Sequence, residues 1–90
     1  MILLSNEDFR AIKRKAKLNE TLINHETVYE KNGLYYRITL VNDLGGYVIE
    51  CAETLEEAKK NFFEDLDIVD NNVTRRELID RIINCINSAS

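Results

Sequence analysis

Glu26-Thr27-Val28-Tyr29-Glu30-Lys31-Asn32-Gly33-Leu34-Tyr35-Tyr36-Arg37-Ile38-Thr39-Leu40-Val41 decides the fold class. Two runs rich in β-branched and aromatic residues flank Asn32-Gly33. Both turn residues tolerate positive φ, so the pair is a strong short-range hairpin signal. Glu26–Glu30 reads as the first strand and Leu34–Val41 as the return strand. Leu34, Tyr36, Ile38 and Leu40 alternate onto one face, the mark of a strand with one side against a core.

Downstream, Asn42-Asp43-Leu44-Gly45-Gly46 reads as a second turn. Tyr47-Val48-Ile49-Glu50-Cys51 then reads as a third strand, with Tyr47, Ile49 and Cys51 on one face. Three strands joined by tight turns form an antiparallel meander. Upstream, Ser5 and Asp8 have the spacing of a capping box, and Leu4 and Phe9 that of a hydrophobic staple. Phe9, Ile12 and Ala16 share a helical face. Leu18 falls on the other side, so this helix should end near Lys17 to Asn19. A polar connection that includes His25 then leads to the first strand.

After the third strand, Thr54-Leu55-Glu56-Glu57 is a capping box, and Leu55, Ala58, Phe62, Leu66 and Val69 follow at helical spacing. The spacing predicts a helix that runs until Asp70-Asn71-Asn72 breaks it. Thr74-Arg75-Arg76-Glu77 opens a last helix, stapled by Val73 and Leu78. Leu78, Ile79, Ile82, Ile83, Cys85 and Ile86 cover nearly half its circumference, more than one contact needs. This helix therefore packs between two elements or offers its surplus to a second copy as a homodimer. Asn87–Ser90 reads as a frayed tail. The expected architecture is a single α+β domain over residues 1–90, a three-stranded meander packed by helices in the order αβββαα.

Composition agrees with a folded domain. The 90 residues are 44% hydrophobic and 31% charged, which is globular rather than disordered. A core of this size gives a net stability of roughly 3–6 kcal/mol. Met1–Leu4 is too short for a signal segment or a membrane span, which points to a cytoplasmic chain. Cys51 and Cys85 are far apart, with no CxxC pair and no nearby histidine, so they read as buried reduced thiols rather than zinc ligands.

The chemical inventory is sparse. His25 is the only histidine and stands in a polar connection, without the placed nucleophile and orienting carboxylate that catalysis needs. Asp65, Asp67 and Asp70 lack the glycine and terminal glutamate of a calcium loop. Gly45-Gly46 is turn chemistry, because no helix opens behind it to hold a phosphate. The residues point to a non-enzymatic protein with no cofactor and no metal.

Charge distribution is the informative surface feature. Residues 1–18 carry five cations against two carboxylates, a net of +3, whereas Glu50–Asp70 carries eight carboxylates against two lysines, a net of −6. Glu53, Glu56, Glu57, Glu64 and Asp67 offer an acidic face to a protein partner with a basic surface, and such opposition of charge speeds association. Arg10, Lys13, Arg14 and Lys17 form a basic stripe suited to phosphates, the alternative nucleic-acid reading.

The helix–three-strand–helix order resembles double-stranded-RNA-binding domains. With Thr54-Leu55-Glu56-Glu57-Ala58 after a strand, it is also similar to the arm-binding domains of integrases. The resemblance covers roughly residues 5–68. The RNA-binding family has a lysine cluster at the start of its second helix, where this chain has Glu56 and Glu57, so phosphate binding by that helix is disfavoured. In size and charge balance the chain also resembles small acidic phage and mobile-element inhibitors, among them anti-CRISPR and anti-restriction proteins. That resemblance implies an antagonist that occupies the basic surface of a nucleic-acid-handling protein.

Overall fold

A computed structural model describes residues 2–43, 45–70 and 72–90. Met1, Leu44 and Asn71 lie outside the described residues, and so do the parts they play in the expected apolar N-terminus, second turn and Asp70-Asn71-Asn72 break. The elements in order are α1 (Asn6–Ala16), β1 (Asn19–Ile23), β2 (Glu26–Lys31), β3 (Leu34–Val41), β4 (Gly46–Ala52), α2 (Leu55–Lys59), β5 (Glu64–Val69) and α3 (Arg75–Ala89).

The α+β class holds, but the sheet has five antiparallel strands in the spatial order β1-β2-β3-β4-β5, not three. The expected αβββαα order is thereby corrected, and with it the helix–three-strand–helix likeness. Four strands precede α2, and a fifth follows it.

α1 starts as the sequence reads. Ser5 and Asp8 form both halves of a capping box. Its end shows how β1 arises. Lys17 takes a left-handed conformation at φ 57°. The Leu18 amide then donates to the Lys13 carbonyl at 2.9 Å and the Lys17 amide to Arg14 at 3.3 Å, the two bonds of a Schellman motif. This reversal swings Leu18 into the core, where it is buried, rather than onto the far side of the helix. The chain leaves as an edge strand. Asn24 and His25, at φ 54° and 67°, then make a two-residue turn of the primed kind that matches strand twist. Asn32-Gly33 does the same between β2 and β3, at φ 53° and 82°.

α2 ends long before Val69. Asn61 is left-handed at φ 62°, and the Phe62 amide donates to the Glu57 carbonyl at 2.8 Å. The same closing motif thus stops the helix after five residues. Glu64–Val69 then pairs antiparallel with β4, with a register shift at Ile49/Glu50. Glycine at 46 is required by that pairing. A Cβ there would meet the Val69 carbonyl oxygen and stand 2.8 Å from the Asp70 Cα.

The helices α1 and α3 cover one face of the sheet. Ile12, Ala16, Leu78, Ile82 and Ile86 pack there with Tyr29, Tyr36, Tyr47, Ile49 and Val69, which alternate inward from the strands. α3 begins at Thr74, whose hydroxyl accepts from the Glu77 amide at 3.1 Å. Its wide apolar face is used inside the chain: Leu78, Ile82, Ile83 and Ile86 are buried, while Ile79 and Cys85 flank the same core. The opposite face of the sheet has a smaller core of Ile23, Val28, Ala52 and Ala58 beneath α2. No helix among the described residues is long and apolar enough to cross a membrane.

Candidate functional site

The thiols and the histidine are not assembled into a catalytic group. Cys51 lies in a cross-strand row with Tyr36 and Glu64, and Cys85 lies on α3. Both are free and half-buried. Burial pushes both thiols above their ordinary pKa, with Glu53 adding to the effect at Cys51 and Asp67 at Cys85. A thiol so placed stays protonated. The Cys51 row runs on through Tyr29 to Glu20, whereas His25 sits exposed in the β1–β2 turn. Among the described residues no group of three or more His, Cys, Asp or Glu is placed to hold a metal ion.

The acidic residues fall into two groups. Glu53, Glu56 and Glu57 stand at the approach and first turn of α2, where the Thr54 hydroxyl accepts from the Glu57 amide at 3.1 Å. Negative charge is favoured there by the unpaired amides of a helix start. Glu64 opens β5 in register with Cys51. These four form no ion pair among the described residues. Asp67 differs: Arg81 on α3 donates to both its oxygens at 3.2 and 3.3 Å. That pairing depends on α3 lying over β5, which no local sequence pattern reveals.

Close in sequence to these carboxylates are apolar side chains that the core does not take. Leu55 and Phe62 are exposed, Phe62 at 62%. The early end of α2 is the cause. Phe62 comes just after the left-handed Asn61 and turns outward, while Phe63 turns in toward the smaller core. Exposed apolar side chains accompanied by unpaired charges are the material of which protein interfaces are made.

Arg37 on β3 fixes this end of the molecule. Its Nη2 and Nε donate to Glu50 at 2.9 and 3.3 Å. Its Nη1 donates to Glu26 at 3.1 Å and to the Asn61 side chain at 2.5 Å. The guanidinium also lies 4.0 Å from the centre of the Phe63 ring. Burial alone would lower its pKa, and Glu50 and Glu26 more than reverse this. At the same C-terminal end of α2, Asn24 donates to the Lys59 carbonyl at 2.9 Å. The end of the short helix is thus tied down twice, by Asn24 and through Asn61 by Arg37.

The cations of the N-terminal stripe face solvent, and the fold brings another cation near them. Arg10, Arg14 and Lys17 are exposed on α1 and Lys13 is half-exposed. Among the described residues the ion-paired cations are Arg37, Arg75 and Arg81, so the α1 cations are not neutralised. Arg75 is held by Asp8. Its neighbour Arg76 shares a groove with Ala11 and Lys15 of α1 and joins the basic side. Only the packing of α1 on α3 brings Arg76 there. The sheet tyrosines serve packing: Tyr29, Tyr36 and Tyr47 are buried, and the Tyr47 hydroxyl accepts from the Leu4 amide at 2.8 Å.

Comparison with family models, with curated proteins and with solved structures gives no match.

Proposed function

We propose that the chain is a non-enzymatic protein-binding module, an inhibitor that lays the α2 end on a basic surface of a nucleic-acid-handling protein. The phage or mobile-element antagonists of defence systems are the class this reading points to. One observation carries it: Leu55 and Phe62 are exposed at the start of α2 and just past its end, Glu53, Glu56 and Glu57 at the approach and first turn of that helix and Glu64 at the start of β5 form no ion pair among the described residues, and Arg37 and Asn24 hold the end of the helix in place. Opposed charge steers the encounter, and a buried aromatic supplies a disproportionate share of the affinity. The test is capture of partners from extract by tagged protein, with and without nuclease. A stoichiometric protein partner should survive nuclease, and both Phe62→Ala and lysine at the four glutamates should release it. Capture unaffected by these changes would exclude the surface.

A second reading has an observation of its own. The four cations of α1, its cap Lys17 and Arg76, which shares a groove with Lys15, form no ion pair among the described residues. On this reading α1 contacts nucleic-acid phosphates, and binding weakens steeply with salt. Replacing Arg10, Arg14 and Lys17 by alanine should reduce binding to DNA or RNA at low salt. Absence of any such binding would dispose of it.

A further inference from the structure

The two outer edges of the sheet are built differently. An unpaired edge strand is a template for another strand, and native proteins blunt it with charges, bulges or proline. β5 is blunted three times over. It carries carboxylates at Glu64, Asp65 and Asp67, and a register shift interrupts its ladder. The Ile68 amide is moreover engaged by the Asp67 side chain at 2.8 Å. β1 has none of these devices. Asn19-Glu20-Thr21-Leu22-Ile23 contains one charge, no proline and an unbroken register with β2. Leu22 is 73% exposed, more than any other large apolar side chain among the described residues.

The β1–β2 turn fixes which backbone groups face outward. A two-residue hairpin makes its flanking residues a hydrogen-bonded pair, here Ile23 with Glu26. By alternation Thr21 and Asn19 also turn their N–H and C=O groups to β2, while Glu20 and Leu22 turn theirs away from the sheet. We propose that β1 pairs antiparallel with β1 of a second copy, about a two-fold axis through Thr21, to join two five-stranded sheets into one.

This register is self-complementary. Each outward Glu20 and Leu22 backbone finds the other residue of the second copy, and the two Thr21 meet at the close, non-hydrogen-bonded position on the axis. Thr–Thr pairs there are favourable. The single charge of the strand, Glu20, falls opposite Leu22 and never opposite its own copy. Glu20 also shares a groove with Arg10 and Lys13 of its own chain, so its charge is balanced as Leu22 of the second copy covers it. Two β5 strands paired in the same way would bring carboxylates together. The pairing uses the backbone of β1 and not α2, Arg14 or Lys17, so its test does not depend on either functional reading.

Sedimentation velocity of the full chain, from about 10 µM to about 1 mM, tests it. The wild type should show a reversible monomer–dimer equilibrium. Leu22→Glu sets a carboxylate opposite Glu20 twice and should raise the dissociation constant about tenfold. Leu22→Lys sets an amine there and should leave dimerisation unchanged or tighter. The double change Glu20→Lys with Leu22→Glu should restore it. Leu22 is exposed, so all variants should keep the wild-type circular dichroism. A wild type that stays monomeric throughout would overturn the proposal and leave the β1 edge to a foreign strand or to none. A dimer equally stable in the Leu22→Glu and Leu22→Lys variants would also overturn it, by placing the contact elsewhere.

Discussion

Replacing Arg37 by alanine should destabilise the domain more than any other single change at its charged surface. The side chains of Arg37 and Glu50 are only 18% and 16% exposed, and the bond between them is 2.9 Å. Breaking a fully buried ion pair from one side costs about 3–5 kcal/mol, and breaking an exposed one about 0.2–1 kcal/mol. This pair lies between those limits, so stranding Glu50 costs about 2 kcal/mol. Loss of the guanidinium from the Phe63 ring adds about 0.5–1 kcal/mol. The sum, about 2.5–3 kcal/mol, corresponds to a fall in Tm of about 10–24 °C for a domain of this size. Thermal unfolding followed by circular dichroism gives the number. Arg37→Met with Glu50→Gln removes both charges and should cost less than Arg37→Ala alone, because no carboxylate is left without a partner. Amide exchange should also quicken at Asn61 and Phe63. A Tm within about 3 °C of wild type for Arg37→Ala would refute the reasoning. A double-mutant cycle with coupling below about 0.3 kcal/mol would do the same.

Three further outcomes follow from the packing and the titrating groups. Gly46→Ala should cost about 3 kcal/mol in urea unfolding, because β5 backbone occupies the space its methyl needs; a change under about 0.5 kcal/mol would contradict the close approach. The Ser5 amide, the Ser5 hydroxyl and Arg75 hold the Asp8 carboxyl below its ordinary pKa. Its contribution is therefore complete above the unfolded value of about 3.9 and is lost as pH falls through the lower folded value. Asp8→Asn should be less stable than wild type at neutral pH, and the gap should close progressively as pH falls below about 4, as acid melts would show. Cys51 and Cys85, pushed up first by burial, should react slowly with a thiol reagent at about pH 8 in the folded chain and fast in denaturant. Equal rates in both conditions would mean the thiols are not shielded.

Much of this fold is legible in the sequence where local chemistry and tertiary placement agree. The Asn32-Gly33 hairpin, the Ser5 and Thr74 caps and the inward row of β3 all stand where their residues put them. β1 is invisible because an edge strand with four of five residues exposed has no apolar alternation to read. β5 is read as helix because Phe62, Leu66 and Val69 continue the spacing of Leu55 and Ala58. Two tertiary facts decide otherwise. Asn61 adopts the left-handed conformation, and the far edge of β4 is free to take a strand. The site follows the same division. Glu53, Glu56 and Glu57 are neighbours in the chain and so are visible as a group. The removal of Asp67 by Arg81, and the addition of Arg76 to α1, arise from where α3 comes to rest.

The placement of charge gives the β1 edge a bearing on function. α1 lies beside Tyr29 and Glu20, on the β1 side of the helix-covered face, whereas α3 meets β5 at the other side. A two-fold axis through Thr21, perpendicular to the joined sheet, keeps both helix-covered faces on one side. The two α1 helices would then flank the axis, and the two acidic ends would lie toward the outer limits of the dimer. Pairing thus doubles a central basic surface but separates the acidic ones. A long nucleic acid spanning both α1 helices would gain effective concentration from the dimer, whereas a partner held at one α2 end would gain little. Leu22→Glu therefore separates the two functional readings as well as testing the dimer. It should weaken apparent affinity for a long duplex far more than for a protein bound at Phe62. The opposite ranking would refute a two-fold contact at β1 that brings the two α1 helices together.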